Sequence, residues 1–518
     1  MGEKQEISRS LNVLAGSAVV VFIGVILSKI FTYIYRVIIA RQFGPEVYGS
    51  FSLAINILSL ITAISLLGFD SGLVRFIPLY KSQNKRKDIF LLIKFSSKIV
   101  LVVSLILGAL LFIFSDLISV NIFHEQGLSV YLKLFSFLVP ISVMGAYFLA
   151  LIIADEKIKL YSFIENIATN GLNVICLVVL LFLGFKSFSV PLSYFLGTTI
   201  LLFLTFYLYK RKISYPRFSE SIRDNSSQIK KEFLSYSIPL LFFIMFNFIM
   251  AWVDSFSLGY FKSTREVGLY NAAVPIAMLM NLAPQLFIKL FFPIITREYG
   301  KNKKYTISEL SKQVNKWIFF INLPLFAMIF LFPERFISLF FGNEYISAST
   351  SLQILVVGSF LLSLSKISDR IIAMLGKSKI LLTNILISIL INFTLNAVFI
   401  PMPNVFGIEN GLGINGAAIA TTISSFVLVF LSLIQTRTYS SIVPVRRKMV
   451  NLIISIIIST LIILKLRNFI TDGLSLVLFS IFFLLTYLII SWFLKSFDKN
   501  DLNALRLIKP SFSKKVKA

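Results

Sequence analysis

“KIFTYIYRVIIARQFGPEVYGSFSLA” (residues 29–54) has a counterpart in the second half of the chain, “NFIMAWVDSFSLGYFKSTREVGLYNAA” (residues 247–273). When the two segments are aligned, Lys29 meets Asn247 and Arg36 meets Asp254. One extra residue in the later loop then aligns Gly49 with Gly268. Such self-similarity predicts a fold made of two similar halves.

The composition is that of a protein that crosses a membrane many times. Of the 518 residues, 57% are hydrophobic and 14% are charged, whereas soluble domains carry about 25% charged residues. Apolar runs long enough to cross a hydrocarbon core of about 30 Å recur along the chain. We predict an all-α polytopic membrane protein with about 14 transmembrane helices, at residues 16–39, 46–68, 90–114, 129–153, 160–184, 188–209, 234–258, 268–295, 313–332, 349–372, 379–400, 413–435, 449–466 and 473–495.

The formal net charge of +26 follows this predicted topology. Lys and Arg are concentrated in every second loop, which is the pattern of cytoplasmic loops in multi-pass proteins. The pattern predicts that both termini are cytoplasmic and that the protein resides in the plasma membrane, where the basic loops attract anionic membrane lipid. The same distribution argues against nucleic acid as a partner.

The repeat continues beyond its first segment. “IADEKIK” (153–159) resembles “IAMLGKSK” (372–379), and “GTTI” (197–200) resembles “ATTI” (420–423), in the same order. Six spans per repeat give two halves of the same orientation, and transporters built from parallel repeats move them around a central site. The predicted parts are an N-lobe (1–212), a basic cytoplasmic linker (213–233), a C-lobe (234–436), two further helices (437–495) and a basic cytoplasmic tail (496–518).

Several kinds of site are excluded by what the sequence lacks. A single cysteine and a single histidine, Cys176 and His124, provide neither a disulfide framework nor a Cys/His metal site. The chain has no P-loop, no loop long enough for an extramembrane catalytic domain, and no paired carboxylates in an outer loop. We therefore expect no enzyme activity, no metal and no cofactor.

Four segments carry a resemblance to a known family: “ARQFGPEVYGSFSLA” (40–54), “GFDSGLVRF” (68–76), “DSFSLGYFKSTREVGLYNAA” (254–273) and “GINGAAIATTIS” (413–424). They resemble the polysaccharide-biosynthesis branch of the multidrug/oligosaccharidyl-lipid/polysaccharide exporter superfamily, which includes O-antigen and archaeal glycan-lipid flippases. The resemblance implies two six-helix lobes in a V-shaped, MATE-like fold with two extra helices. It also implies transport of a lipid-linked saccharide, and we expect a monomer that works beside the glycosyltransferases or polymerase of its pathway.

Charges within the spans are the first candidates for a binding site, because a charge in the bilayer costs about 2.5–3.5 kcal/mol or more and is seldom kept without a function. Lys29, Arg36 and Lys289 are candidate ligands of a substrate phosphate. Arg36 could also be an anchor at the membrane interface, and Lys29 and Lys289 could extend their charges to the membrane surface.

Two charge pairs related by the repeat are candidate latches of alternating access. Arg36 and Asp254 would close the outer side of the cavity, and Asp70 and Lys289 would close the inner side. Polar residues in the spans are candidates for the saccharide path or for ion coupling, or they bind helices to one another: Glu165, Asn170, Asn247, Asn384 and Asn392.

Two alternatives to a lipid-linked saccharide flippase remain at the level of sequence. A cation-coupled multidrug exporter of the same superfamily would bind organic cations, but the first repeat presents cations of its own. A membrane glycosyltransferase or polymerase is the more remote alternative, because such an enzyme needs a catalytic loop and a carboxylate pair.

Overall fold

The structure is a computed structural model that describes residues 2–213, 226–401, 404–405, 408–409, 412–466 and 473–497. Its helices are α1 (Gly2–Ser65), α2 (Phe69–Ser82), α3 (Arg86–Asp116), α4 (Gln126–Ala154), α5 (Ile158–Ser162), α6 (Thr169–Phe182), α7 (Ser189–Lys212), α8 (Ser226–Phe261), α9 (Thr264–Ala277), α10 (Leu282–Gly300), α11 (Lys304–Leu331), α12 (Pro333–Phe340), α13 (Ser349–Met374), α14 (Ser378–Phe399), α15 (Gly413–Ser440), α16 (Lys448–Lys465) and α17 (Gly473–Phe493).

Short π and 3₁₀ turns connect some of these helices, at Leu117–Ile122, Phe163–Ala168, Lys186–Phe188, Met278–Asn281 and Asn343–Ala348. Two strands, β1 (Asn404–Val405) and β2 (Ile408–Glu409), pair antiparallel, with Asn404 opposite Glu409. This hairpin lies within the long Gly-rich segment before α15. Residues 402–403, 406–407 and 410–411 of that segment lie outside the described residues.

Helix α1 contains two arms separated at Gly44. Gly44 has φ 77° and ψ −179°, a conformation that glycine adopts without the steric penalty of a side chain. Pro45 follows as the first residue of the second arm, where its fixed φ suits a helix and its missing N–H costs nothing. The dipeptide Gly44-Pro45 therefore ends one helical arm and starts the next.

The bend at Gly44 accounts for the number of spans. Thirteen helices in the described residues are long and apolar enough to cross a membrane. The first of these, Ile26–Ser65, has 40 residues, so it is about 60 Å long and twice the thickness of a hydrocarbon core. Each of the 14 predicted spans falls on one of these helices, with two on α1, and the predicted all-α polytopic class is confirmed.

The chain divides into two compact units, Met1–Asn271 with Ile400–Ile414 and Ala272–Phe399 with Asn415–Ala518. The first unit includes α8, because α8 packs against α1, α2 and α3. The sequence had assigned α8 to a C-lobe beginning at residue 234. Gly72 of α2 lies against Phe233 and Ser237 of α8. The lobe boundaries at 212 and 234 stay a prediction.

In the second unit, the two C-terminal helices share one apolar core with α11. Phe319, Leu452, Phe483 and Tyr487 are buried in this cluster, and the rings of Phe320 and Tyr487 stack at 5.5 Å. The apolar faces of α16 and α17 thus have a packing partner within their own unit.

The first unit holds a close contact between the two repeats of the opening segment. A Cβ placed on Gly49 would lie 1.7 Å from the carbonyl oxygen of Thr264, and a Cβ placed on Gly268 would lie 1.9 Å from that of Pro45. Thr264 is the repeat counterpart of Pro45, just as Gly268 is the counterpart of Gly49. The contact is therefore reciprocal, as a local two-fold relation requires, and it needs glycine on both sides.

Candidate functional site

A cavity of about 170 Å³ with both polar and apolar lining lies inside the first unit, where the two arms of α1 meet α6, α7, α8 and α9. Five of its lining residues come from the second arm of α1, and they share one helix face by their spacing. The lining residues are Thr32, Tyr35, Arg36, Tyr48, Phe51, Ser52, Ile55, Asn56, Asn170, Asn173, Tyr194, Trp252 and Asn271.

Arg36 is the one charged side chain among these described lining residues. Its Nη1 donates to the hydroxyl oxygen of Tyr48 at 3.4 Å, and that hydroxyl donates to the carbonyl oxygen of Asn271 at 3.2 Å. Arg36 and Tyr48 stand on opposite sides of Gly44. The bend at Gly44 thus brings the cation of the first arm against the second arm.

The amide of Asn170 holds α6 against the first arm of α1. Its Nδ2 donates to Ser28 Oγ at 2.9 Å, and its Oδ1 accepts from Thr32 Oγ1 at 3.0 Å. The structure therefore places Asn170, a predicted saccharide-path residue, in the cavity wall and gives its amide a helix-pairing role as well. Inside a membrane such interhelical bonds are worth about 0.6 kcal/mol on average.

Aromatic rings form another part of the wall. Tyr35 and Phe51 pack with their ring centroids 5.6 Å apart, and Phe51 meets Tyr194 edge-on at 6.0 Å. The buried hydroxyl of Tyr35 forms a hydrogen bond of 2.9 Å with Ser193 Oγ. These contacts fix the rings, so the cavity is preformed.

The residues aligned with each other at the start of the two repeats, Lys29 and Asn247, are both exposed in the structure. The Nδ2 of Asn247 donates to the carbonyl oxygen of Phe243 in its own helix, at 2.8 Å. Neither residue lines the cavity. Arg36 therefore lines the cavity and Lys29 does not, although both lie on the same face of the first arm of α1.

Asp254, the repeat counterpart of Arg36, is buried with 8% of its surface exposed. Its Oδ2 accepts a hydrogen bond of 2.6 Å from the Tyr270 hydroxyl, while Arg36 donates to Tyr48. Each charge of the predicted outer latch thus has a tyrosine as its hydrogen-bond partner. The latch stays a prediction, which the exchange of Arg36→Asp with Asp254→Arg tests: no recovery of transport over either single variant would contradict it.

The second predicted latch joins Asp70 and Lys289. Asp70 is half-buried in the first turn of α2, outside the candidate membrane spans, and burial raises the pKa of its carboxyl. Lys289 belongs to α10, but its side chain lies outside the described part of the structure. This latch and the phosphate-binding role of Lys289 also stay predictions.

Glu165 lies in the π turn Phe163–Ala168 between α5 and α6. Such turns insert an extra residue into a helix and often mark functional sites. In the sequence, Glu165, Thr169 and Asn173 are spaced four residues apart, as on one face of a regular helix. The extra residue breaks this spacing. Asn173 lines the cavity and Glu165 does not.

The amide ladder of α14 faces α15 within the second unit. Asn384 and Gln435 form a reciprocal pair, with N···O distances of 2.6 and 2.9 Å. One turn on, Ser388 donates to the carbonyl oxygen of Ser424 at 3.0 Å, and Asn392 Nδ2 donates to Thr421 Oγ1 at 3.0 Å. These contacts support helix pairing. A place for Asn384 and Asn392 on the saccharide path stays a proposal.

Replacing the buried Asn384 by leucine is expected to destabilise the protein, because the half-buried Gln435 amide loses its partner. Interhelical hydrogen bonds in membranes contribute about 0.6 kcal/mol and up to about 1.7 kcal/mol. Thermal unfolding in detergent measures the effect. Thr394→Val is the matched control on α14, since Thr394 is exposed and donates to Leu390 of its own helix. Unchanged stability with lost transport would instead place Asn384 on the substrate path.

Several lining residues were not among the candidates from sequence, including Tyr48, Asn56, Trp252 and Asn271. None of them carries a charge, and none was among the polar span residues considered for the saccharide path. The available signal was the position of Tyr48, Ser52 and Asn56 on one face of the helix after Gly44-Pro45. For Trp252 and Asn271, the available signal was their closeness in sequence to Asp254 and Gly268, which the repeat had singled out.

Two protein-family models match this chain, and together they extend from residue 14 to residue 398. A family model described as “Polysaccharide biosynthesis protein” matches residues 14–298, and a model described as “MatE” matches residues 235–398. The uncharacterized membrane protein MJ1068 of Methanocaldococcus jannaschii is 25% identical over 407 residues, which is 76% of this chain and 78% of the relative.

Two further similar proteins are described as flippases. The probable low-salt glycan biosynthesis flippase Agl15 of Haloferax volcanii is 25% identical over 209 residues, 40% of this chain and 42% of that protein. The solved structure of the lipid II flippase MurJ, in an inward closed conformation, matches with a TM-score of 0.71 at 18% identity. It covers 91% of this chain and 98% of MurJ. The chain shares the fold of that protein.

Proposed function

The chain belongs to the polysaccharide biosynthesis protein family, and from this membership we propose that it is a flippase of the multidrug/oligosaccharidyl-lipid/polysaccharide exporter superfamily. Its substrate is a polyisoprenyl-(di)phosphate-linked saccharide, which it moves from the cytoplasmic to the outer leaflet by alternating access. It serves the assembly of a polysaccharide or a protein-linked glycan and works with the glycosyltransferases or polymerase of that pathway.

One observation carries this proposal: among the described lining residues, a cavity in a membrane protein presents a single cation beside amides, hydroxyls and aromatic rings. A lipid-linked saccharide has an anionic phosphate and an uncharged polar glycan. Arg36 suits the phosphate, since a guanidinium binds phosphate oxygens in a planar fork. The amides suit hydroxyl groups, because each amide both donates and accepts hydrogen bonds.

The electrical gradient favours the proposed direction. With the cell interior negative, each negative charge that moves outward gains about 2.3 kcal/mol per 100 mV. A substrate phosphate that crosses without a compensating cation is therefore driven towards the outer leaflet. The membrane potential alone therefore favours the outward direction.

The proposal is tested by reconstituting the purified chain into proteoliposomes that contain a fluorescent lipid-linked saccharide in both leaflets. Quenching by a membrane-impermeant reagent reports how much probe moves between the leaflets. We expect the protected half of the probe to become accessible with the protein and not in empty vesicles. Equal protection with and without the protein would overturn the flippase proposal.

A multidrug exporter is the second candidate, because the MatE model matches residues 235–398. An exporter of organic cations would bind positively charged aromatic compounds, and the Arg36 guanidinium in this cavity repels them. The same vesicles, loaded with a fluorescent cationic dye and given a sodium or proton gradient, separate the two candidates. Dye export without movement of the lipid-linked saccharide would favour the exporter.

A further inference from the structure

We propose that the cavity beside Arg36 is a subsite for one sugar ring of the substrate, and that the amide of Asn56 is the group that recognises this ring. The inference rests on the proposed function, and it specifies which part of the proposed substrate binds in this cavity. The phosphate lies at the Arg36 end, and the lipid and the rest of the glycan lie outside.

Asn56 is the strongest indication of a ligand in the cavity. The side chain lies in the cavity wall with 2% of its surface exposed, and its Nδ2 has no hydrogen-bond partner in the described part of the chain. Buried polar groups in proteins are nearly always hydrogen-bonded. An amide N–H group that faces a cavity and has no partner among the described residues indicates that a ligand oxygen satisfies it.

The size of the cavity limits what enters it. Pockets that hold a whole drug-sized ligand measure about 300–1,000 Å³, and this one measures about 170 Å³. Its volume corresponds to roughly five or six water molecules in the liquid. The cavity therefore holds one ring of a larger substrate, and not a disaccharide or the lipid.

The lining selects a sugar ring over a diphosphate. A diphosphate carries several negative charges, and the described lining offers one cation, Arg36. A sugar ring presents hydroxyls that pair with amides, and a C–H face that packs on aromatic rings. Asn56 supplies an amide N–H group, and Phe51 and Trp252 supply rings. Asn271 supplies only its amide oxygen, because its Nδ2 already donates to Ser255 Oγ and to the carbonyl oxygen of Val267.

The experiment measures binding of two lipids to the full-length protein in nanodiscs: a polyisoprenyl phosphate, and the same lipid phosphate bearing one hexose. The decisive variant is Asn56→Leu. We expect a fivefold to tenfold weaker affinity for the hexose-bearing lipid, about the effect of losing one or two hydrogen bonds. The affinity for the bare lipid phosphate should stay unchanged.

Thermal unfolding of the same variant separates recognition from a structural role. Because the Nδ2 of Asn56 lacks a hydrogen-bond partner among the described residues, an apolar side chain of similar shape should leave the melting temperature unchanged or raise it. Thr62→Val is the matched control: Thr62 lies on the same arm of α1, its Oγ1 also lacks a partner among the described residues, and it is outside the cavity. It should change neither affinity.

The possible outcomes are distinct. Equal weakening for both lipids by Asn56→Leu would mean that the cavity holds the phosphate, and no weakening for either would mean that the ring binds elsewhere; each overturns the sugar subsite alone. A lower melting temperature with unchanged affinities would give Asn56 a purely structural role and would overturn it as well. Wild-type protein that binds neither lipid would overturn the proposed function itself.

Discussion

Alanine at Gly49 or at Gly268 is expected to lower the melting temperature of the purified protein and to reduce saccharide transport in proteoliposomes at least tenfold. The added Cβ would lie less than 2 Å from a backbone oxygen of the opposite helix, so the second arm of α1 and α9 must move apart. Overpacking of this kind costs about 1–3 kcal/mol. Transport falls because Tyr48 adjoins Gly49, and spreading the helices breaks the hydrogen bond from Tyr48 to Asn271.

A matched control for this contact is Gly145→Ala. Gly145 is a buried glycine of α4, and a Cβ there meets no atom within 4 Å. It should leave both the melting temperature and the transport rate unchanged. The double variant Gly49→Ala with Gly268→Ala supplies a sharper test, because residues that share one contact are not additive. Once the first methyl has separated the helices, the second should cost less. Strictly additive losses, or losses no larger than that of Gly145→Ala, would contradict a shared contact.

The close contact between Gly49 and Gly268 shows what an internal repeat allows one to predict. Aligning the repeats in the sequence pairs these two glycines, and the structure brings the same pair into backbone contact. The gap predicted between the spans 16–39 and 46–68 likewise contains Gly44-Pro45, where the structure separates the two arms of α1. Backbone sterics explain both features, because they depend on residue type and local sequence.

Side-chain partners could not be predicted in the same way. The ladder of Asn384, Ser388 and Asn392 was recognisable as a polar stripe, but nothing in the sequence named Gln435, Thr421 or Ser424 as partners. Those contacts depend on the rotation of α15 against α14, which the packing of both helices fixes. A stripe that pairs helices and a stripe that lines a cavity have the same spacing, so the sequence left both interpretations open.

The π turn before α6 shows a second limit. One extra residue in a helical turn changes the direction of every side chain after it, by about 100°. Asn173 therefore lines the cavity while Glu165, eight residues earlier, does not. No single residue of “FIENIA” (163–168) predicts this turn. The change from i→i+4 to i→i+5 hydrogen bonds depends on how the helix packs in the folded protein. The candidate coupling role of Glu165 is thus independent of the cavity.

Replacing Arg36 by alanine is expected to weaken the binding of polyisoprenyl phosphate and of its saccharide-linked form by about tenfold to one hundredfold. Hydrogen bonds to a charged group contribute about 1.5–3 kcal/mol, and each 1.4 kcal/mol is a factor of ten. The two lipids should be affected alike, because the phosphate is the part that they share. Binding in nanodiscs, with the same pair of lipids that tests Asn56, measures both effects.

Arg36→Lys distinguishes a phosphate ligand from an anchor at the membrane interface. A lysine keeps the positive charge but loses the planar fork, so a phosphate site should recover part of the affinity and not all of it. An interfacial anchor would tolerate lysine fully and would leave lipid binding unchanged even in Arg36→Ala. Arg86→Ala is the matched control, since Arg86 is an exposed residue in the first turn of α3, outside the cavity. If Arg36→Ala binds both lipids as the Arg86 control does, the cation does not bind the phosphate, and its hydrogen bond to Tyr48 serves only to hold the two arms of α1 together.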